Sequence, residues 1–65
     1  MKVQYFEDTD TLYIVFRSNP PVETRDLDEN TLIDLDEKGH VCSITIEHAK
    51  DRVGDPEVQF ERISA

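Results

Sequence analysis

Thr31-Leu32-Ile33-Asp34-Leu35-Asp36-Glu37-Lys38-Gly39-His40-Val41-Cys42-Ser43-Ile44-Thr45-Ile46-Glu47 is the stretch that decides the fold. Apolar and polar residues alternate on both sides of Asp36-Glu37-Lys38-Gly39, and strict alternation marks a strand with one face against a core. The residues between the two runs are turn chemistry, with a glycine that takes a positive φ without strain. A β-hairpin is predicted. Strand parity puts Thr31, Ile33 and Leu35 on one face, with Leu32, Asp34 and Asp36 on the other. In the second strand Cys42, Ile44 and Ile46 oppose Val41, Ser43, Thr45 and Glu47. Ile33, Leu35, Ile44 and Ile46 are the expected core, joined by Leu12 and Ile14.

Upstream, Lys2 to Glu7 reads as a strand, Asp8-Thr9-Asp10 as a short polar turn, and Thr11 to Arg17 as a second strand rich in β-branched and aromatic residues. The short turn makes these two an antiparallel hairpin. Leu12, Ile14 and Phe16 alternate with Tyr13, Val15 and Arg17, so both faces are partly apolar and a central or covered position is expected. Pro20-Pro21 breaks the chain. Val22 to Leu27 is short, charged and preceded by proline, the marks of an edge strand. Asn30 in the following loop suits a positive φ. Beyond the central hairpin, residues 48–53 lose the alternation and fit a short helix ended by Gly54. Such a helix is held by packing, because it is too short to be stable alone. Residues 57–65 form a sixth strand or an arm. The expected architecture is mainly β within the α+β class: an antiparallel meander of four to five strands with one short helix, in a single domain spanning residues 1–65.

Composition narrows the function. Fifteen Asp and Glu against seven Lys and Arg give a net charge of −8. Nucleic-acid binding draws on Lys and Arg to neutralise phosphates, so direct binding to nucleic acid is not expected. No apolar run approaches the ~20 residues of a membrane helix. Cys42 is the one cysteine, so no disulfide forms within the chain. A lone thiol without a signal-like leader gives the expectation of a reducing, cytoplasmic setting. A chain this small has a core worth only ~3–5 kcal/mol and commonly needs a further support. With disulfides excluded, association into a homodimer is expected.

The residues Tyr5, Asp8 to Asp10, Leu12-Tyr13-Ile14, Glu23-Thr24, Leu32-Ile33-Asp34-Leu35-Asp36, Gly39, Ile44-Thr45-Ile46 and Ala49 together resemble a small prokaryotic family, domain of unknown function 2283. The likeness covers roughly residues 3–53. Ser43 departs from it, since many relatives carry a second small residue such as Gly there, and Cys42 takes a position that is usually aliphatic. The family has no assigned activity. The resemblance implies a small β-meander with a short helix and, through gene neighbourhoods that look paired with basic toxin-type proteins, an antitoxin-like role.

Candidate chemistry is thin. Asp34-x-Asp36-x-Lys38-Gly39 has the start of a calcium loop, but Lys38 and Thr45 stand where that loop needs oxygen donors, and strands flank it instead of helices. Asp8/Asp10 and Asp26/Asp28/Glu29 are carboxylate groups in turns, with no apolar pocket to hold one of them protonated. His40, Cys42 and His48 give three zinc donors without the paired-cysteine spacing of a zinc site. Cys42 shares a face with Ile44 and Ile46, where a thiol behaves as a small hydrophobe. No catalytic, metal or cofactor site is assigned, and a non-enzymatic role is expected. What remains is a second apolar face: Tyr13, Val15 and Leu32, with Val3 and Tyr5 or else Phe6 according to register. The expected interaction face is Tyr5, Tyr13, Val15, Leu32 and Phe60. Its candidate occupants are a second copy, a small basic partner, or the arm carrying Val58, Phe60 and Ile63.

Overall fold

The computed structural model describes residues 1–55, 57 and 59–64. Five antiparallel strands form one open sheet, with one short helix: β1 (Lys2–Phe6), β2 (Thr11–Val15), β3 (Glu23–Asp28), β4 (Thr31–Leu35), β5 (Val41–Glu47) and α1 (Ala49–Val53). Every pairing is antiparallel. The central hairpin is β4–β5, as its alternation requires.

The strand order is β1-β2-β5-β4-β3. Two hairpins are thus joined through β2 and β5, so the chain crosses between β2 and β3 instead of running as a strictly consecutive meander. The sequence explains the arrangement. β2 is apolar on both faces and, with β5, supplies the best-paired interior, whereas β3 carries Glu23, Arg25, Asp26 and Asp28 and is exposed throughout. A charged, exposed strand sits safely at an edge, where it discourages further pairing. Leu27 is the extra residue of a bulge between Asp26 and Asp28, and it points 61% exposed into solvent.

Register fixes which side chains share a face, because cross-strand partners point the same way. Tyr5, Leu12, Ile46 and Thr31 form one cross-strand row, and Val3, Ile14, Ile44, Ile33 and Arg25 the next on the same side. The opposite side carries Gln4, Tyr13, Thr45, Leu32 and Asp26 in one row and Lys2, Val15, Ser43, Asp34 and Thr24 in the next. The isoleucine-bearing side is the apolar face; the other is mixed.

The helix closes one end of the sheet. His48 enters it with φ +53, and the backbone N–H groups of Ala49 and Lys50 are bonded to the carbonyl and carboxylate of Asp10 in the β1–β2 turn. Arg52 makes a two-pronged ion pair with Asp28 at the β3–β4 turn, at 2.9 and 3.1 Å. The helix therefore staples two turns together. Asp10 takes the positive φ that Asn30 was expected to take. Asn30 is held differently: its N–H bonds the Asp28 carboxylate, and its carbonyl receives Glu47 N–H.

The core is slight. Among the described residues, Leu12, Leu35, Cys42 and Ala49 are the buried apolar ones, and no large side chain is fully enclosed. Ile14, Ile33, Ile44 and Ile46 are only half-buried. Phe60 and Ile63 are 72% and 78% exposed, so they do not fold back over either face; Val58 lies outside the described residues. No described residue beyond Val53 belongs to a helix or strand. Among the described residues no helix is long and apolar enough to cross a membrane.

Candidate functional site: an open apolar sheet face

The residues expected to form an interaction face divide between the two sides. Tyr13, Val15 and Leu32 lie together on the mixed face. Tyr5 does not join them: the β1–β2 register pairs it with Leu12, while Phe6, opposite Thr11, is the β1 aromatic on the Tyr13 side. Phe60 stands clear in the C-terminal stretch. The mixed face is also more polar than parity alone suggests. Asp34 there accepts hydrogen bonds from Thr24 Oγ1 and Ser43 Oγ, both at 2.6 Å. This bridge runs across three strands, from the β3 edge to the middle strand β5.

The larger apolar surface is the other one. Val3, Leu12, Ile14, Ile33, Leu35, Ile44 and Ile46 stand on it, and the substantial contacts between elements are all between neighbouring strands. Its strand charges are Glu23 and Arg25, opposite Leu35 and Ile33, which neutralise each other at 2.7 Å, and Asp28, opposite Thr31, which Arg52 of the helix neutralises at 2.9 Å. That pairing holds the Glu23 carboxyl below its usual range, chiefly through the hydrogen bond from Arg25. Tyr5 also has a partner: its hydroxyl donates to Asp10 at 2.6 Å, and this bond raises the phenol pKa to about 12. The strand charges of this face are thus paired, and its phenol is engaged.

At the opposite end of the sheet from the helix, the β4–β5 turn is built around Asp36. Its carboxylate accepts the N–H groups of Lys38 and His40, both at 2.9 Å, and the Asn19 amide at 3.3 Å. These bonds, led by that from His40 N–H, hold the acid in its ionised form against the opposing effect of burial. A cavity of about 320 Å³ beside it is bordered by Arg17, Asn19, Val22, Asp36, Lys38 and His40. Arg17 Nη1 donates to His40 Nδ1 at 3.0 Å, which leaves the ring proton on Nε2. The carboxylates of Asp34 and Asp36, which alternation placed side by side at a turn, are thus committed to separate hydrogen-bond frames. Among the described residues, no group of three His, Cys, Asp or Glu is placed to hold a metal ion.

Cys42 is the extra residue where the β4–β5 register shifts beside Leu35. Its carbonyl accepts Phe16 and Arg17 N–H at 2.7 and 3.2 Å, and its thiol is 2% exposed. Burial, then the nearby Asp36 charge, pushes the thiol pKa up. The thiol contacts the His40 carbonyl at 3.8 Å, while the His40 ring is engaged with Arg17 and Asp36, an arrangement that does not activate the sulfur as a nucleophile.

A family model described as "Protein of unknown function (DUF2283)" matches residues 2–50. The chain belongs to this family. The matched span takes in all five strands and the start of the helix, so the family unit is the sheet itself. No curated protein and no solved structure matches the chain.

Sequence parity found the members of the apolar face but treated them as a finished core. The signal that they are not finished lay in the helix: five residues cannot roof a sheet about 24 Å across at ~4.8 Å per strand.

Proposed function

We propose that this chain is a non-enzymatic protein-interaction module that works by docking another polypeptide against its sheet. The observation that carries the reading is the open isoleucine-rich face, with Ile14, Ile33, Ile44 and Ile46 left half-buried by their own chain. Half-buried apolar side chains gathered on one face with no second layer over them are surface that a partner can cover. Asp10, Asp28, Asp34 and Asp36 are each engaged in holding the sheet and its turns, which favours association over acid–base or metal chemistry.

An antitoxin-like role is a narrower form of the same proposal. Its support is the net charge of −8, which suits a small basic partner through attraction at long range. The acidic β3 edge and the Asp28-Glu29 turn are the natural contact for such a protein. The test is to purify the chain alone and together with any small basic protein encoded beside its gene, and to measure assembly mass by native mass spectrometry. An assembly in either sample supports the module; an assembly containing the basic protein supports the antitoxin form. A lone monomer in both samples refutes the proposal.

A further inference from the structure

We propose that the occupant of the apolar face is a second copy of this chain, stacked face to face about a two-fold axis. The inference rests on the interaction-module reading and names its partner.

The first argument is surface. The chain exposes 5239 Å², whereas a compact monomer of its 7.5 kDa mass exposes about 4,200 Å². Its radius of gyration is 12.8 Å, against about 11 Å for a globular chain of this length. The principal extents of 35 × 33 × 18 Å describe a slab. Part of the surplus belongs to the stretch after Gly54; the rest is a single sheet without a second layer. Stable domains are built from at least two packed layers around a core. A second copy provides the missing layer, at the ~10 Å spacing of stacked sheets.

The second argument is area. The five strands, each about five residues long, present a face of roughly 24 by 17 Å. Two such faces withdraw about 800 Å² as flat footprints, and more when side-chain relief is counted, close to the ~1,000 Å² that a specific interface clears.

The third argument is charge, and it selects the face. Two chains of −8 each repel unless the meeting surfaces are neutral. On the isoleucine side Glu23 cancels with Arg25, and Asp28 with Arg52 of the helix. On the mixed side Asp26, Asp34 and Glu47 oppose Lys2 alone along the register rows. A two-fold stack on that side would set carboxylate rows against each other. Isologous pairing therefore uses Ile14, Ile33 and Ile44 at its centre, and the surface expected from sequence, around Tyr13, Val15 and Leu32, faces outward.

Sedimentation equilibrium on the wild-type chain, on Ile44→Glu and on Thr45→Glu tests this. The wild type is expected to be dimeric at micromolar concentration. Ile44→Glu places a charge in the stack and should weaken association at least about 100-fold. Thr45→Glu, one residue along on the opposite face, should leave the dimer intact. Should Ile44→Glu fail to fold, isotope-filtered NMR on a mixed-label wild-type sample decides, through intermolecular contacts among the Ile14, Ile33 and Ile44 methyl groups. A wild-type monomer at about 100 μM, or intermolecular contacts confined to Tyr13, Val15 and Leu32, overturns the inference. A monomer that nevertheless binds another protein through Ile44 overturns self-association and leaves the module reading standing. A monomer that binds nothing in the paired-gene test ends both.

Discussion

Leu12→Ala should remove most of what holds this sheet together. Leu12 is 6% exposed, sits on a central strand between Tyr5 and Ile46, and is one of the few apolar side chains its own chain buries. Truncation to alanine removes three carbons, at ~0.8 kcal/mol for each buried methylene-sized group, or about 2.4 kcal/mol. The cavity contribution should be small, because the neighbouring Ile46 is half-buried beside an open face and can settle into the space. The expected loss is therefore about 2.5 kcal/mol, at the low end of buried leucine truncations. A core of this size supplies ~3–5 kcal/mol in total, so the variant sits near its unfolding transition, with Tm lowered by ~10–20 °C. Urea unfolding followed by far-ultraviolet circular dichroism, at one fixed protein concentration, measures the change. Leu27→Ala is the control: its side chain projects from a bulge, 61% exposed, and its truncation should cost under about 0.5 kcal/mol. A Leu12→Ala loss below about 1 kcal/mol, or one no larger than that of Leu27→Ala, would show that the isoleucine row does not depend on Leu12.

Gly39 has φ +83 with open space where a Cβ would stand, so Gly39→Ala should cost only the backbone strain of ~1–2 kcal/mol, read as a parallel shift of the urea curve. Asp10→Asn should bring the Tyr5 phenol down from about 12 towards the ordinary tyrosine value of 10.0, seen by ultraviolet titration of the tyrosines. Because the folded state raises this pKa, the Tyr5–Asp10 bond stabilises fully below pH 10 and its contribution disappears as pH rises from 10 to 12; wild type should lose stability across that range, and Asp10→Asn should lose less. The Asp28 carboxyl is held well below its usual range, first by Arg52. Its contribution is thus present above the unfolded value of 3.8 and lost as pH falls below it. Arg52→Gln should consequently flatten the acid-side fall in stability, and an unchanged acid profile would remove the ion pair from the account.

The central hairpin was legible because its information is local: alternation set the faces, and Asp36 to Gly39 set the turn. Its turn contains more than the residue types disclosed. The Asp36 carboxylate gathers two N–H groups from its own turn and the Asn19 amide from the distant Pro20-Pro21 crossover. An Asp two residues before a turn position is a fair sign of the local bonds, but not of the long-range one. Pairing of β2 with β5 was hidden for the same reason. It joins residues roughly thirty apart, and the two partly apolar faces of β2 indicated an interior place without naming the partner strand. The Tyr5 position turned on hairpin register, which a polar turn of Asp-Thr-Asp does not fix by residue type. Asp10 shows the opposite case: it takes a strained-looking φ because its carboxylate serves both Tyr5 and the helix start, a requirement invisible until the elements meet.

Salt separates the two partners that this surface could serve. Two chains joined through a neutral apolar face bring together a total charge of 2 × (−8) = −16, most of it on the rims, turns and outward faces. That charge opposes the dimer at long range while the buried contact favours it. Raising ionic strength from 0.01 to 0.15 M shortens the Debye length from ~30 to ~8 Å, so the rims cease to repel across the assembly while the apolar contact is left in place. Self-association should therefore tighten with added salt. Docking of a basic protein on the acidic β3 edge must do the reverse, because its attraction is the term that salt screens. Sedimentation equilibrium of the chain alone, across that salt range, reads the first; the same titration with a basic partner reads the second. Association of the chain alone that weakens steeply with salt would place charged groups at its centre, contrary to the neutral isoleucine face. Tightening in one experiment and weakening in the other would show that the sheet separates its two surfaces by physics: an apolar face that satisfies a second copy, and an acidic rim that remains available outside it.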